Sequence, residues 1–123
     1  MKKILLIEDE KILSEMYETR LKREGFEVIN TRDAEGGLEL IKKEKPDLIL
    51  LDLLLPGMQG QEALRILKED PKTKDIPIII FSNYDTPEVR KEAEKYGVRY
   101  ILKANVTTRD LVELVKREIG EKK

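Results

Sequence analysis

The sequence contains no cysteine, no histidine and no tryptophan. The lack of cysteine excludes disulfides and thiolate metal sites. The lack of histidine excludes a serine–histidine pair, an imidazole metal ligand and an imidazole base. No apolar run approaches the roughly 20 residues of a membrane-spanning helix. The N-terminal Met1-Lys-Lys-Ile-Leu-Leu-Ile-Glu8 imitates a secretion signal only at its start. Its apolar run is too short, and acids follow where small residues should stand. Excess charge of one sign is missing too: 24 basic and 25 acidic residues leave a net charge of -1. That balance gives no electrostatic reason to expect direct nucleic-acid binding. The expectation is a soluble cytoplasmic protein with no membrane partner.

Amides are also scarce. Gln is limited to Gln59 and Gln61, and Asn to Asn30, Asn83 and Asn105. Charged residues are plentiful, at 40% against about 25% in a typical globular domain. High Lys and Glu with few amides is a thermophile-like balance, and an idealised or consensus-designed sequence would share it. The 123 residues suit a single domain spanning the chain, able to bury roughly two-thirds of its unfolded surface.

The stretch Asp47-Leu-Ile-Leu-Leu-Asp52-Leu-Leu-Leu-Pro56-Gly-Met-Gln-Gly60 organises the rest. Its apolar run reads as a strand buried on both faces, ending on a carboxylate and then breaking into a Pro/Gly loop. Around it, strands alternate with helices. Lys3 to Ile7 is a short apolar strand that runs into Glu8-Asp9-Glu10. Ile12, Leu13, Met16, Tyr17 and Leu21 recur at helical spacing, and Gly25 closes that helix. Phe26 to Thr31 predicts an edge strand, and Asp33 an N-cap for a helix carrying Ala34, Leu38 and Ile41 inward. Gly36 and Gly37 weaken that helix by up to about 1 kcal/mol each, which suggests close packing. Pro46 stops it.

Ala63, Leu64 and Leu67 mark a third helix, and Asp70 to Asp75 a polar linker. Pro77 to Ser82 is the next buried strand. Thr86 and Pro87 start a helix that runs to Gly97. Arg99 to Lys103 is a fifth strand. Thr107 and Asp110 form an acidic variant of a capping box for a last helix burying Leu111, Val112, Val115 and Ile119. Lys122-Lys123 reads as a fraying tail. Five strand–helix repeats argue for an α/β fold with one parallel sheet covered on both faces.

In such a sheet all strand ends share one edge, where parallel α/β folds keep their ligands. Glu8 and Asp9, Asp52, Ser82 and Lys103 all end strands there. Three carboxylates and one ammonium sum to -2, and carboxylates packed closely repel one another. A divalent cation would neutralise them, and an all-oxygen donor set favours Mg2+ over Zn2+. The chemistry that fits is phosphoryl transfer to a carboxylate, which needs no imidazole base. Singly, each residue has a plainer reading. Asp9 can cap a helix, Asp52 can form a turn, Ser82 and Lys103 can be solvated, and Tyr100 can be ordinary strand packing.

Taken together, Ile7-Glu-Asp-Glu10, Leu51-Asp52-Leu-Leu-Leu-Pro56-Gly-Met-Gln-Gly60, Ile80-Phe-Ser82 and Tyr100-Ile-Leu-Lys103 resemble the receiver domain of bacterial two-component response regulators. The chain is similar over essentially its whole length to the single-domain chemotaxis type. The resemblance implies a flavodoxin-like (βα)5 fold with strand order 2-1-3-4-5. It implies that Asp52 accepts phosphoryl from a sensor histidine kinase or a histidine phosphotransfer protein. Asp9 would ligate Mg2+ directly, Glu8 would assist through water, and the carbonyl of Leu54 would complete the protein ligands beside Asp52. Ser82 and Lys103 would each hold a phosphoryl oxygen. Ser82 and Tyr100 would transmit the change to the surface of the fourth helix, fifth strand and fifth helix, where a downstream effector binds. The domain would catalyse only its own phosphorylation and dephosphorylation, as a monomer or a phosphorylation-linked dimer. It would stand alone or belong to a longer regulator.

Three departures from the family pattern carry expectations. Ala104 stands where a proline, often cis, is usual; a cis bond before a non-proline residue costs roughly 2.5–4 kcal/mol, so a trans Lys103–Ala104 bond is expected. Asn83 stands where Ala or Gly is commoner. Leu54 and Tyr84 are bulky residues flanking the route of hydrolytic water, which predicts a long-lived phosphorylated form. The competing readings are a haloacid-dehalogenase-type phosphatase, a flavodoxin-like cofactor binder and a receiver-like scaffold without a signalling role. The first lacks a second acid two residues after Asp52. The second would place a phosphate against Glu8-Asp9-Glu10.

Overall fold

Five apolar stretches form five strands, and an amphipathic helix follows each. In the computed structural model, which describes residues 1–120, these are β1 (Lys3–Ile7), α1 (Lys11–Arg23), β2 (Glu27–Thr31), α2 (Ala34–Glu44), β3 (Leu48–Leu51), α3 (Gly60–Glu69), β4 (Ile78–Ser82), α4 (Pro87–Tyr96), β5 (Arg99–Leu102) and α5 (Thr108–Ile119). The sheet order is β2-β1-β3-β4-β5 and every pairing is parallel. This is the flavodoxin-like arrangement that the alternation and the motifs predict, with β2 at an edge.

Strand residues point alternately to opposite faces, so the sheet builds two cores. Leu5, Ile7, Ile49, Leu51, Ile78 and Ile80 meet Ile41 of α2, Leu64 of α3 and Val89 of α4. Ile4, Leu6, Leu48, Leu50, Ile79 and Phe81 meet Tyr17 and Leu21 of α1 and Leu111 and Val115 of α5. All four residues of β3 are buried, which explains why that strand is apolar at every position rather than at alternate ones. The close packing expected at Gly37 is present: a Cβ there would lie 2.5 Å from Ile7 Cδ1.

Helix starts follow local chemistry. Asp33 accepts from the Gly36 amide at 2.7 Å, Thr86 from Val89 at 3.2 Å, and Thr107 and Asp110 form the reciprocal capping box. Three sequence expectations need correction. Ile12 and Met16 do not face the core; they are exposed, and α1 buries Ser14, Tyr17 and Leu21 with Leu13 beside them. The fifth strand ends at Leu102, and Lys103 opens a single 3-10 turn, Lys103–Asn105. Ile119 is only partly buried. The tail expected to fray at Lys122-Lys123 lies outside the described residues.

Candidate functional site

The ladder of parallel bonds continues one residue past β1 and β3. The Glu8 amide donates to the Thr31 carbonyl at 3.0 Å, and the Asp52 amide to the Ile7 carbonyl at 3.1 Å. This holds Glu8 and Asp52 on neighbouring strand ends, both buried. Lys103 reaches them from the turn after β5. Its Nζ donates to Glu8 Oε1 at 2.5 Å and to Asp52 Oδ2 at 3.0 Å, with only 9% of its side chain exposed.

Two buried carboxylates thus share one ammonium. Burial pushes the Glu8 carboxyl above its ordinary range, and the Lys103 pair opposes this only in part. For Lys103, burial works against the charged form, but the hydrogen bonds it donates to Glu8 and Asp52 outweigh it and raise the ammonium above its ordinary 10.5. The remaining carboxylate oxygens find amides: Glu10 N–H donates to Glu8 Oε2 at 3.1 Å, and Leu54 N–H to Asp52 Oδ1 at 3.3 Å.

Ser82 ends β4 and is fully buried. Its Oγ accepts from the Tyr84 amide at 3.2 Å. The Tyr100 hydroxyl donates to the Tyr84 carbonyl, so β5 is tied to the loop that follows Ser82. The Lys103–Ala104 bond is trans, since no peptide bond among the described residues is cis. The Ala104 amide donates to Asn83 Oδ1 at 2.9 Å.

Of the residues singled out from the sequence, Glu8, Asp52 and Lys103 are in direct contact. Asp9 stands apart: its half-exposed carboxylate pairs with Arg32 at 3.5 Å. Accordingly, among the described residues no three acidic, histidine or cysteine side chains already form a metal-holding group. Leu54 and Tyr84 are 53% and 38% exposed, large apolar surfaces beside the site. Sequence reasoning missed Arg32, Asn83 as an acceptor and the carbonyl of Tyr84. Arg32 was accessible in principle, because it follows β2, the immediate neighbour of β1. A backbone carbonyl leaves no mark in the residue pattern.

Residues 4–116 match the response regulator receiver domain family. A CheY-like response regulator receiver domain protein from Methanospirillum hungatei JF-1 is similar in structure, with 30% identity, a TM-score of 0.91 and coverage of 98% of this chain and 95% of that one. The BeF3-activated N-terminal receiver domain of Klebsiella pneumoniae RstA is 26% identical, with a TM-score of 0.85 and coverage of 96% and 98%. The Mn(2+)-bound form of the response regulator Rcp1 is 29% identical, with a TM-score of 0.79 and coverage of 95% and 91%. A match running from within β1 into α5, joined to the same fold and strand order, makes this chain a member of the response regulator receiver domain family, the phospho-accepting signalling domains of two-component systems.

Proposed function

We propose that Asp52 is the phosphoryl acceptor and that Lys103, Ser82, Glu8, Asp9 and the Leu54 carbonyl serve the transfer. The observation that carries this reading is the buried Glu8–Lys103–Asp52 cluster at the carboxyl edge of the sheet. Asp52 is oriented by the Leu54 amide through one oxygen and by Lys103 through the other. In the transfer, an Asp52 oxygen forms a bond to phosphorus as the P–N bond to the donor imidazole breaks. The electron pair stays with the nitrogen, which takes up a proton. Lys103 then meets the new charge. Ser82 uses its lone pair to accept from Tyr84, which leaves its hydroxyl proton for a phosphoryl oxygen.

The donor set suits a hard divalent cation such as Mg2+. Every donor is oxygen, and two buried carboxylates with one ammonium leave the cluster one negative charge in excess. Glu8, Asp9, Asp52 and the Leu54 carbonyl would hold that ion, which supplies charge neutralisation on the phosphoryl oxygens when bound. Donors would be a sensor histidine kinase or a histidine phosphotransfer protein. The Tyr100–Tyr84 bond supports a route from Ser82 to the α4–β5–α5 surface and a downstream effector there. The added charge of about -1.5 to -2 shifts a two-state equilibrium.

The test is incubation with acetyl phosphate and Mg2+, read by intact mass. The wild type gains one phosphoryl group and Asp52→Asn gains none; an adduct on Asp52→Asn sinks the assignment. A second expectation concerns lifetime. Leu54 and Tyr84 cover the approach of hydrolytic water, so Leu54→Asn and Tyr84→Ala should each shorten the half-life of the phosphorylated form by roughly the several-fold that one added water contact is worth. Unchanged decay in both variants removes the shielding idea.

A further inference from the structure

We infer that Asn83 is a positioning residue for Lys103, acting through the amide of Ala104. The inference rests on the phospho-acceptor reading above and extends it to a residue that does not touch the reacting atoms. Three observations carry it. First, Lys103 must thread a long, flexible side chain between two buried carboxylates, which requires its backbone to be fixed. Second, the segment that carries it is one 3-10 turn, closed by a long 3.4 Å bond from the Val106 amide to the Lys103 carbonyl. A turn so short does not hold itself rigidly. Third, the next amide along, that of Ala104, donates to Asn83 Oδ1 across 21 residues of sequence at 2.9 Å.

Both groups of this bond are exposed, so water could serve either one. The direct bond is therefore not needed for hydrogen-bond satisfaction; its effect is to fix one loop against another. Asn83 is also the residue after Ser82. The same bond therefore joins the backbone behind the hydroxyl to the backbone behind the ammonium. The two groups that would meet phosphoryl oxygens move as a unit, and Tyr84 extends that unit to Tyr100.

Two measurements test this, and they fail separately. Amide hydrogen exchange needs no phosphorylation. The Ala104 amide should exchange roughly fivefold faster in Asn83→Ala, the factor that one neutral hydrogen bond is worth, and should keep its protection in Asn83→Asp, which retains the acceptor. Unchanged exchange in Asn83→Ala overturns the inference. The second measurement is the rate of phosphorylation by acetyl phosphate in Mg2+. Asn83→Ala should lower it roughly fivefold in the wild-type background and leave it unchanged in Lys103→Ala, because the effect passes through Lys103. An equal loss in both backgrounds means that Asn83 acts elsewhere and overturns the inference. If even the wild type acquires no phosphate, the phospho-acceptor reading fails, while exchange at Ala104 still decides whether the bond exists.

Discussion

Lys103→Met should lower the stability of the unphosphorylated protein by about 3–5 kcal/mol at pH 7 in EDTA, the usual cost of removing one partner from a buried ion pair. That corresponds to a fall in melting temperature of roughly 10–20 °C for a domain of this size. Lys103 is the only cation within bonding distance of Glu8 and Asp52 among the described residues. Glu8 is 1% exposed and Asp52 7%, so water cannot replace the ammonium cheaply. Methionine fills much of the same volume, so the loss reports charge rather than a cavity. EDTA matters because a divalent cation would take over the lysine's neutralising role.

The pH dependence has a definite sign. The Lys103 ammonium is raised above 10.5 in the folded protein, so its contribution is complete below that value and is lost as pH rises through the raised one. Glu8 is also raised, so the folded protein holds that proton more tightly than the unfolded chain. Ionising Glu8 therefore costs stability as pH rises through its folded value. In Lys103→Met only the Glu10 amide still opposes that cost. The gap between wild type and variant should be widest from neutral to mildly alkaline pH and should narrow on acidification, as Glu8 takes up a proton. Adding Glu8→Gln should recover a good part of the loss at pH 7. A variant as stable as the wild type at pH 7 would mean that the lysine does not neutralise the cluster.

The central strands β1, β3 and β4 were legible because strands covered on both faces are apolar at nearly every position, whereas the half-exposed edge strands β2 and β5 were read from their place in the alternation. The caps at Asp33, Thr86 and Thr107 were legible because each solves a local problem, the free amides of a first turn. The inward face of α1 was not. Ile12 and Met16 lie on a stripe next to the one formed by Leu13 and Tyr17, and periodicity accepts either. The sheet and α5 choose between them, and the choice buries Ser14, a polar residue that a search for apolar stripes passes over. At the site, Glu8, Asp52 and Lys103 could be placed together because topology alone carries strand ends to one edge. The partner of Asp9 could not, since the reach of Arg32 depends on a loop path. Asn83 and Ala104 each read from the sequence as a separate oddity. Only the structure makes them one bond.

Gly60→Ala should be the most damaging of the single-methyl substitutions at glycine. A Cβ built on Gly60 falls 2.7 Å from Leu53 Cα and nearer still to the Asp52 carbonyl oxygen. Both neighbours are backbone and cannot rotate away. The Gly60 amide also donates to the Leu53 carbonyl at 3.0 Å, which draws the start of α3 onto the segment carrying Asp52. The methyl group must push α3 off that segment or push the segment off the strand ends. The first course breaks the Gly60–Leu53 bond and opens the core around Leu64 and Leu67. The second moves Asp52 away from Lys103. Overpacking of this kind costs about 3 kcal/mol when the neighbours are rigid. Gly37→Ala provides the contrast, because its Cβ would meet Ile7 Cδ1 at 2.5 Å, the end of a side chain that can change rotamer, and its loss should be smaller. Denaturant unfolding of both variants against wild type measures the difference. Gly60→Ala should also take up phosphoryl from acetyl phosphate more slowly, because its damage falls on the backbone of Asp52, the acceptor proposed above, while Gly37→Ala should not. Equal stability losses in the two variants would show that α3 can shift without disturbing Asp52.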